Sequence, residues 1–390
     1  MKDSLLQNNL DGWTKHKLSL IGVFSKGAGI AKDQLSETGH NAVRYGELYT
    51  HFNIKIKKIY SHIPNSIIPA TKKIKYGDIL FAGSGETNDE IGKSAVYLLR
   101  EDGFASGDTI IFSPKNANSL FLAHFLNVGI ARKKLRELGQ GQSVVHIYKS
   151  DIENLEFCLP SEMEQNRIVS VIETWDSAIE KLGEKIEIKK RIKKGLMREL
   201  LTGKTRLPGF SGEWETKEIG ELLDYERPDK YIVKETNYDN AHKTPVLTAN
   251  KSFILGYTNE TSGIYKNLPA IIFDDFTVDN KFVDFPFKIK SSAIKILKQK
   301  SDKVNIWFVF ERMQLINFAV GQHKRNYISE YQYFAVDMPD IQEQNAIAKI
   351  LITANDEIVG LERKLSFLKD QKKFLLNNLI TGVIRVPEGV

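Results

Sequence analysis

Residues 160–209 align without a gap to residues 339–388, at a constant offset of 179. A repeat of that length constrains the fold more than any other feature of the chain. Identities fall at Pro160/Pro339, Glu164/Glu343, Gln165/Gln344, Asn166/Asn345, Ile179/Ile358, Leu182/Leu361, Leu196/Leu375, Leu200/Leu379, Thr202/Thr381, Gly203/Gly382, Arg206/Arg385 and Pro208/Pro387. Each copy opens, just after a proline, on a capping-box pair, Ser161 with Glu164 or Asp340 with Glu343. The first side chain accepts from an early backbone N–H and the glutamate reaches back to the cap. Each copy closes on a glycine suited to the left-handed C-cap, followed by a proline that blocks continuation. Between these signals lies one helix of about 40 residues, roughly 60 Å at 1.5 Å per residue.

Apolar residues step by three and four along both copies. In the first they are Ile168, Ile172, Trp175, Ile179, Leu182, Ile186, Leu196 and Leu200. In the second they are Ile347, Leu351, Ala354, Ile358, Leu361, Leu365, Leu368, Leu375 and Leu379. A mean spacing near 3.5 residues is the seam of a coiled coil, so the two helices are expected to pack on each other. Large Trp175 opposite small Ala354 suits a pair within one chain. Pairing between chains, or a separate amphipathic surface helix on each domain, are the alternatives. The run KKRIKK at 189–194 reads as a solvated helix face rather than a phosphate site.

The segments ahead of the helices read as two versions of one α/β domain. Trp13 in DGWTKHKLSLIG pairs with Trp214 in GEWETKEIGELL, and YGDILFAGSGET with NLPAIIFDDFT. GDTIIFSP before NSLFLAHFLN matches SSAIKILK before VNIWFVFERMQ, and GQSVVHIYKSDIENLEFCLP matches GQHKRNYISEYQYFAVDMP. The layout is shared and the polar residues differ, the pattern of one scaffold bearing two binding surfaces. Basic, amide and aromatic residues interleave in KKIKYGD, ARKKLREL and LTANKSFILGYTNET. Such residues supply phosphate attraction and base-edge geometry, although solvated loops have a similar composition.

Most catalytic classes fail on inspection. FAGSGE (81–86) resembles the glycine turn of an S-adenosylmethionine methyltransferase, but no Asn-Pro-Pro-aromatic or Asp-Pro-Pro-Tyr tetrapeptide holds a target amine. GKS (92–94) lacks the first glycine of a phosphate loop, since Thr87 stands there. Asp274 and Asp275 end a strand without the Glu-x-Lys of a metal nuclease, and are read as turn caps or as acceptors from a cytosine amino group. The eight histidines form no zinc pattern, and no nucleophile elbow occurs. The single cysteine, Cys158, excludes an intrachain disulfide and a thiolate-cluster metal site and suits a reducing cytosol. The opening MKDSLLQNNLDGW has no apolar signal core, and no apolar run approaches a membrane span. A net charge of +6 and a pI near 8.9 lean toward an anionic partner. A cytoplasmic binder without catalytic, metal or cofactor sites of its own is the expectation.

With LPSEMEQNRI and MPDIQEQNAI opening the helices, LLTGKTRLPGF and LITGVIRVP closing them, GEW opening a domain and strands like GDILF, the whole chain resembles the specificity subunit of type I restriction-modification systems. VRYGELYTHF and LTANKSFILGYTNETSGIY also resemble that family's target-recognition stretches. The resemblance implies an α+β architecture: two α/β target recognition domains separated by two long helices that form an antiparallel coiled coil, with a pseudo-twofold internal repeat. The expected segments are a first recognition domain at 1–159, a first spacer helix at 160–205, a second recognition domain at 206–338 and a second spacer helix at 339–390. Each domain would enter the major groove of one half of a split double-stranded DNA target, and the helices would set the gap. Helices of roughly 60 Å can hold two readers about one DNA turn apart, roughly 34 to 36 Å. Two modification subunits carrying adenine-N6 methyl transfer would dock on the helices, and restriction subunits would join them. S-adenosylmethionine, ATP and Mg²⁺ would belong to those partners.

Candidate DNA contacts are polar residues on loops beside the shared strands or the GQ turn. In the first domain they are Lys26, Arg44, Tyr45, Ser84, Thr87, Lys93, Gln140, Gln142 and Ser143. In the second they are Thr248, Asn250, Lys251, Tyr257, Asn259, Asp275, Thr277, His323, Lys324 and Arg325. A solvated or turn-capping role is the alternative for each.

Overall fold

A computed structural model describes residues 12–249, 252–319 and 325–387. The chain separates into two compact units, one of residues 1–181 with 365–390, the other of 182–364. The division passes through the two long helices rather than at their ends. These helices run Glu162–Leu200 and Ile341–Ile380, 39 and 40 residues. Gly203 and Gly382 beyond them have φ of 69° and 75°, the left-handed conformation that the repeat predicts.

In the first unit a five-stranded sheet runs, edge to edge, Gly22–Lys26, Thr109–Pro114, Ile79–Ala82, Ser94–Tyr97, Lys55–Ile56. A second sheet runs Ser61–Ile63, His40–Val43, Gly103–Ala105, Lys72–Ile74, with its central pair parallel. The second unit repeats both with one edge strand fewer. Leu223–Glu226, Ile294–Gln299, Ala270–Asp274, Asn280–Val283 form one sheet, and Ile254–Thr258, Thr244–Leu247, Lys288–Ile289 the other, again with one parallel pair. Strands such as ILFA and AIIFD are buried along their whole length, so they read as continuous apolar runs rather than as an alternation.

Within each unit the long helices run antiparallel. In the first unit Ile168 and Ile172 from one helix and Leu379 and Ile380 from the other enter the same core as Phe121 and Phe157. In the second unit Leu200 joins Ile347 and Leu351 beside Phe308. Ile186 and Ile358, both of the second unit, are buried too, while Trp175, Ile179, Leu182, Leu196, Ala354, Leu361, Leu365 and Leu375 are half-buried. None of the seam residues is exposed. Of the KKRIKK run, Lys189 pairs with Glu357 at 2.8 Å, Lys190 with Glu362 at 2.9 Å and Lys193 with the buried Glu311 at 2.9 Å. Lys193 is turned into protein, while Lys189 and Lys190 make their pairs at the solvent-exposed surface, where Arg191, Ile192 and Lys194 are also open.

The repeated residues form the same joints twice. Gln165 donates to the Pro160 carbonyl (2.9 Å) and accepts from the Asn118 N–H (2.8 Å), while Asn166 accepts from the Asn118 side chain (2.7 Å). Gln344, Pro339, Asn305 and Asn345 repeat this at 2.8, 2.9 and 2.7 Å. Ser161 and Asp340 cap as expected, accepting from the Glu164 and Glu343 N–H groups at 3.3 and 2.9 Å. The reciprocal half of the capping box is a correction. The Glu164 carboxylate accepts from Arg385 and the Glu343 carboxylate from Arg206, because a guanidinium offers two aligned charged donors where the cap offers one N–H.

Candidate nucleic-acid interface

In each domain one turn joins the two sheets and assembles a rim. In the first, the Ser106 N–H donates to the Val43 carbonyl (3.0 Å), the Gly83 N–H to the Asp108 carbonyl (2.8 Å) and the Ile147 N–H to the Gly83 carbonyl (3.0 Å). In the second, Lys290 donates to Leu247 (3.0 Å), Asp275 to Ala293 (2.9 Å) and Asn326 to Asp275 (2.8 Å). Four segments therefore meet in the same order in both domains: a strand end, the turn, a second strand end and the segment after the GQ motif. The backbone is shared and the side chains on it are not.

The first rim gathers the candidates of the first domain. Arg44 and Tyr45 follow Val43. The buried Glu47 carboxylate accepts from the Arg44 N–H (2.8 Å) and the Ser61 hydroxyl (2.6 Å), and the Tyr45 N–H donates to Ser106 Oγ (3.2 Å). Lys26 is exposed, 3.9 Å from Asp108. Ser84–Gly85 pairs with Val145–His146, and Gln140 bridges His146. Gln140, Gln142, Ser143 and Thr87 are therefore neighbours and exposed, with Lys93 half-buried. The 86–92 loop is held from below: Arg132 donates to the Ile91 and Asp89 carbonyls at 2.7 and 2.8 Å, and Arg136 pairs with Asp89 at 2.5 Å. Burial, then the neighbouring Arg136, lowers Arg132 to about 10, so it stays charged at neutral pH.

Two candidates occupy other roles. Ser84 is buried and shares a hydrogen bond with His146 Nδ1 at 2.9 Å. Asp275 is fully buried; its carboxylate accepts from the Tyr327 N–H at 2.9 Å and sits 3.4 Å from the ammonium of buried Lys295. It is a frame residue, and no base edge reaches it. Asp274 caps its turn, accepting from the Phe276 and Thr277 N–H groups at 2.9 and 3.0 Å.

The remaining candidates of the second domain differ in exposure. Thr248 occupies the position equivalent to Arg44. Tyr257 is half-buried, while Asn259, Thr277 and Arg325 are exposed. Asn250, Lys251, His323 and Lys324 lie outside the described residues. The joining turn carries none of the sequence candidates, yet its Ser106 and Asp108 in the first domain, and exposed Lys290, Ser291 and Ser292 in the second, stand between the candidate loops. The corresponding segments GDTIIF and SSAIKILK contain or adjoin those turns, so the alignment of the halves held the signal. Among the described residues no cluster of three or more His, Cys, Asp or Glu could hold a metal. No helix among them is long and apolar enough to cross a membrane.

A family model described as the type I restriction modification DNA specificity domain matches residues 11–190. The EcoR124I/EcoR124II specificity subunit of Escherichia coli is 40% identical over 191 residues, 47% of this chain and 47% of that one. The chain thus aligns with about half the length of that relative. A type I restriction enzyme specificity subunit of Methanocaldococcus jannaschii, MjaVIII, is 24% identical over 83% of this chain and 84% of its own. The crystal structure of the S subunit from M. genitalium superimposes with a TM-score of 0.60 at 16% identity, over 96% of this chain and 97% of that one. A chain from a structural study of type I complex assembly and conformational transition gives 0.55 at 15% identity, over 96% and 99%.

Proposed function

Because the chain belongs to the specificity-subunit family of type I restriction-modification systems, we propose that it reads a double-stranded DNA target split into two halves, one half per recognition domain. Membership makes it a specificity component and not itself a catalyst. The observation that carries the reading is the duplicated rim: four segments joined by the same backbone bonds, bearing Arg44, Tyr45 and Gln142 in one copy and Thr248, Thr277 and Arg325 in the other. Arginine and the amides present the bidentate geometry that purine edges accept in the major groove. Exposed Lys290, Ser291 and Ser292 on the second joining turn face phosphate. The backbone joints of the rim correspond in the two halves, while the side chains on and beneath it diverge.

The long helices set the gap between the half-sites and dock two modification subunits, one per half. Exposed apolar residues on the helices favour this. Ile188 and Ile192 lie one turn apart on the first helix, Phe367 and Phe374 two turns apart on the second, and Ile188 and Phe367 are equivalent under the repeat. An exposed apolar position present in both copies suits two copies of one partner. S-adenosylmethionine, ATP and Mg²⁺ act on the modification and restriction subunits, and this chain delivers the adenine for base flipping.

Footprinting with the modification subunit present tests the reading. Two protected patches separated by a fixed unprotected or sequence-indifferent gap are expected. Uniform protection along any duplex, or none, would refute it.

A further inference from the structure

Lys288 is a charge in an unexpected place. It lies on a short strand paired parallel to Thr244–Leu247 and is 2% exposed. Its ammonium donates to the Ser262 carbonyl at 2.8 Å and meets Glu260 Oε2 at 2.9 Å. The other Glu260 oxygen accepts from the N–H groups of Lys234 and Glu235 at 2.8 and 3.1 Å, and the Glu260 N–H donates to Thr258 Oγ1 at 3.2 Å. One buried ammonium therefore ties three segments together: 234–235, the 258–262 loop and the strand beneath both. Gly263 closes the loop at φ 62°, where an added Cβ would stand 2.4 Å from the Lys230 carbonyl.

The scaffold does not require this lysine. Lys288 stands opposite Val246 in the second domain, and the equivalent place opposite Ala42 in the first is taken by Phe104, packed among Ile30, Ala42 and Ile63. An apolar side chain completes the same sheet in the twin domain. A buried ammonium is retained only where its partners compensate for lost hydration, and here every partner belongs to the loops flanking exposed Asn259.

We propose that Lys288 is a positioning residue for recognition by the second domain: with Glu260 it clamps the 258–262 loop in the one conformation that presents Asn259 to DNA. This rests on the reading of the second domain as a DNA reader and of Asn259 as one of its contacts. Replacing the lysine frees the loop while leaving the sheet intact, so it degrades one half-site selectively.

The test uses the full chain assembled with its modification subunit, on duplexes in which each half-site is altered one base pair at a time. Lys288→Met is expected to lose about tenfold in discrimination at the same half-site that Asn259→Ala affects, with the other half-site unchanged when binding is normalised to folded protein. Lys288→Arg, which keeps the charge, is expected to restore part of the loss. Unchanged discrimination in Lys288→Met, or equal loss at both half-sites, would overturn the proposal. Should the methionine chain fail to assemble, the same criterion applies to Glu260→Gln, at the better-hydrated end of the clamp. Absence of any half-site preference in the unaltered assembly would instead sink the DNA reading, and the clamp with it.

Discussion

Arg206 grips Glu343 through two parallel hydrogen bonds of 2.7 Å, and Trp214 Nε1 donates to the same carboxylate at 3.1 Å. The helix end of the first repeat copy is thereby locked to the helix start of the second, within one unit. Arg385 and Glu164 make the corresponding lock in the other unit. Glu343 has a side chain 1% exposed, so its charge depends on these donors. Glu343→Gln is expected to cost about 2 kcal/mol, the scale of a charge-assisted bond lost in a buried site. Glu164→Gln is expected to cost less, because Arg385 is 43% exposed and water replaces part of the interaction. Chemical denaturation of the two variants compares them directly, and equal losses would contradict the ranking.

The ends and seam of the long helices were legible in the sequence because caps, glycine stops and a 3.5-residue rhythm are local signals. The roles of their glutamates were not, since their arginines lie 137 and 221 residues away along the chain. Asp275 was misread for a related reason: a carboxylate after a strand reads as a turn cap or a base contact until Lys295 and Tyr327 are seen to enclose it. Of the candidate site, the loops were visible as polar breaks between apolar runs. The turn that joins them was not, because nothing in a single copy marks it as shared.

Asp275→Ala removes one member of a buried ion pair and the acceptor of the Tyr327 N–H. A loss of about 3 kcal/mol is expected, with half-site preference preserved in whatever fraction remains folded. Thermal unfolding together with binding normalised to folded protein distinguishes this from a recognition role, which would alter preference without a comparable loss of stability.

His124 sets a pH dependence in the first unit. It is buried, neither ring nitrogen has a hydrogen-bond partner, and burial, reinforced by the Lys55 and Lys372 ammonium groups, pushes it down to about 3. The unfolded imidazole takes up a proton near pH 6.5, so unfolding binds a proton between about pH 6.5 and 3 and stability falls as the pH is lowered through that window. The slope from this one group is about 1.4 kcal/mol per pH unit, and between about pH 5 and 6.5 most carboxylates do not yet contribute. Urea midpoints across that interval should fall for the native chain and stay flatter for His124→Leu; parallel slopes would reject the assignment.

Ile186 is 3% exposed and half-buried Leu182 lies one turn earlier on the same helix. Ile186→Ala is expected to cost about 2 kcal/mol. Ile186→Asp should abolish assembly with the modification subunit more completely than Leu182→Asp, since the charge enters a drier site. Size-exclusion profiles of the co-expressed subunits report this, and the reverse order would argue against the seam drawn here.

Two domains that share a rim and differ in its side chains should each specify one half of the target. The direct measurement is the methylome of cells expressing this chain with its modification subunit, repeated with Arg44→Ala and with Thr248→Ala. The account predicts one bipartite motif with a fixed gap, in which each substitution blurs a different half and leaves the gap and the other half intact. A single uninterrupted motif, or blurring of both halves by either substitution, would contradict it.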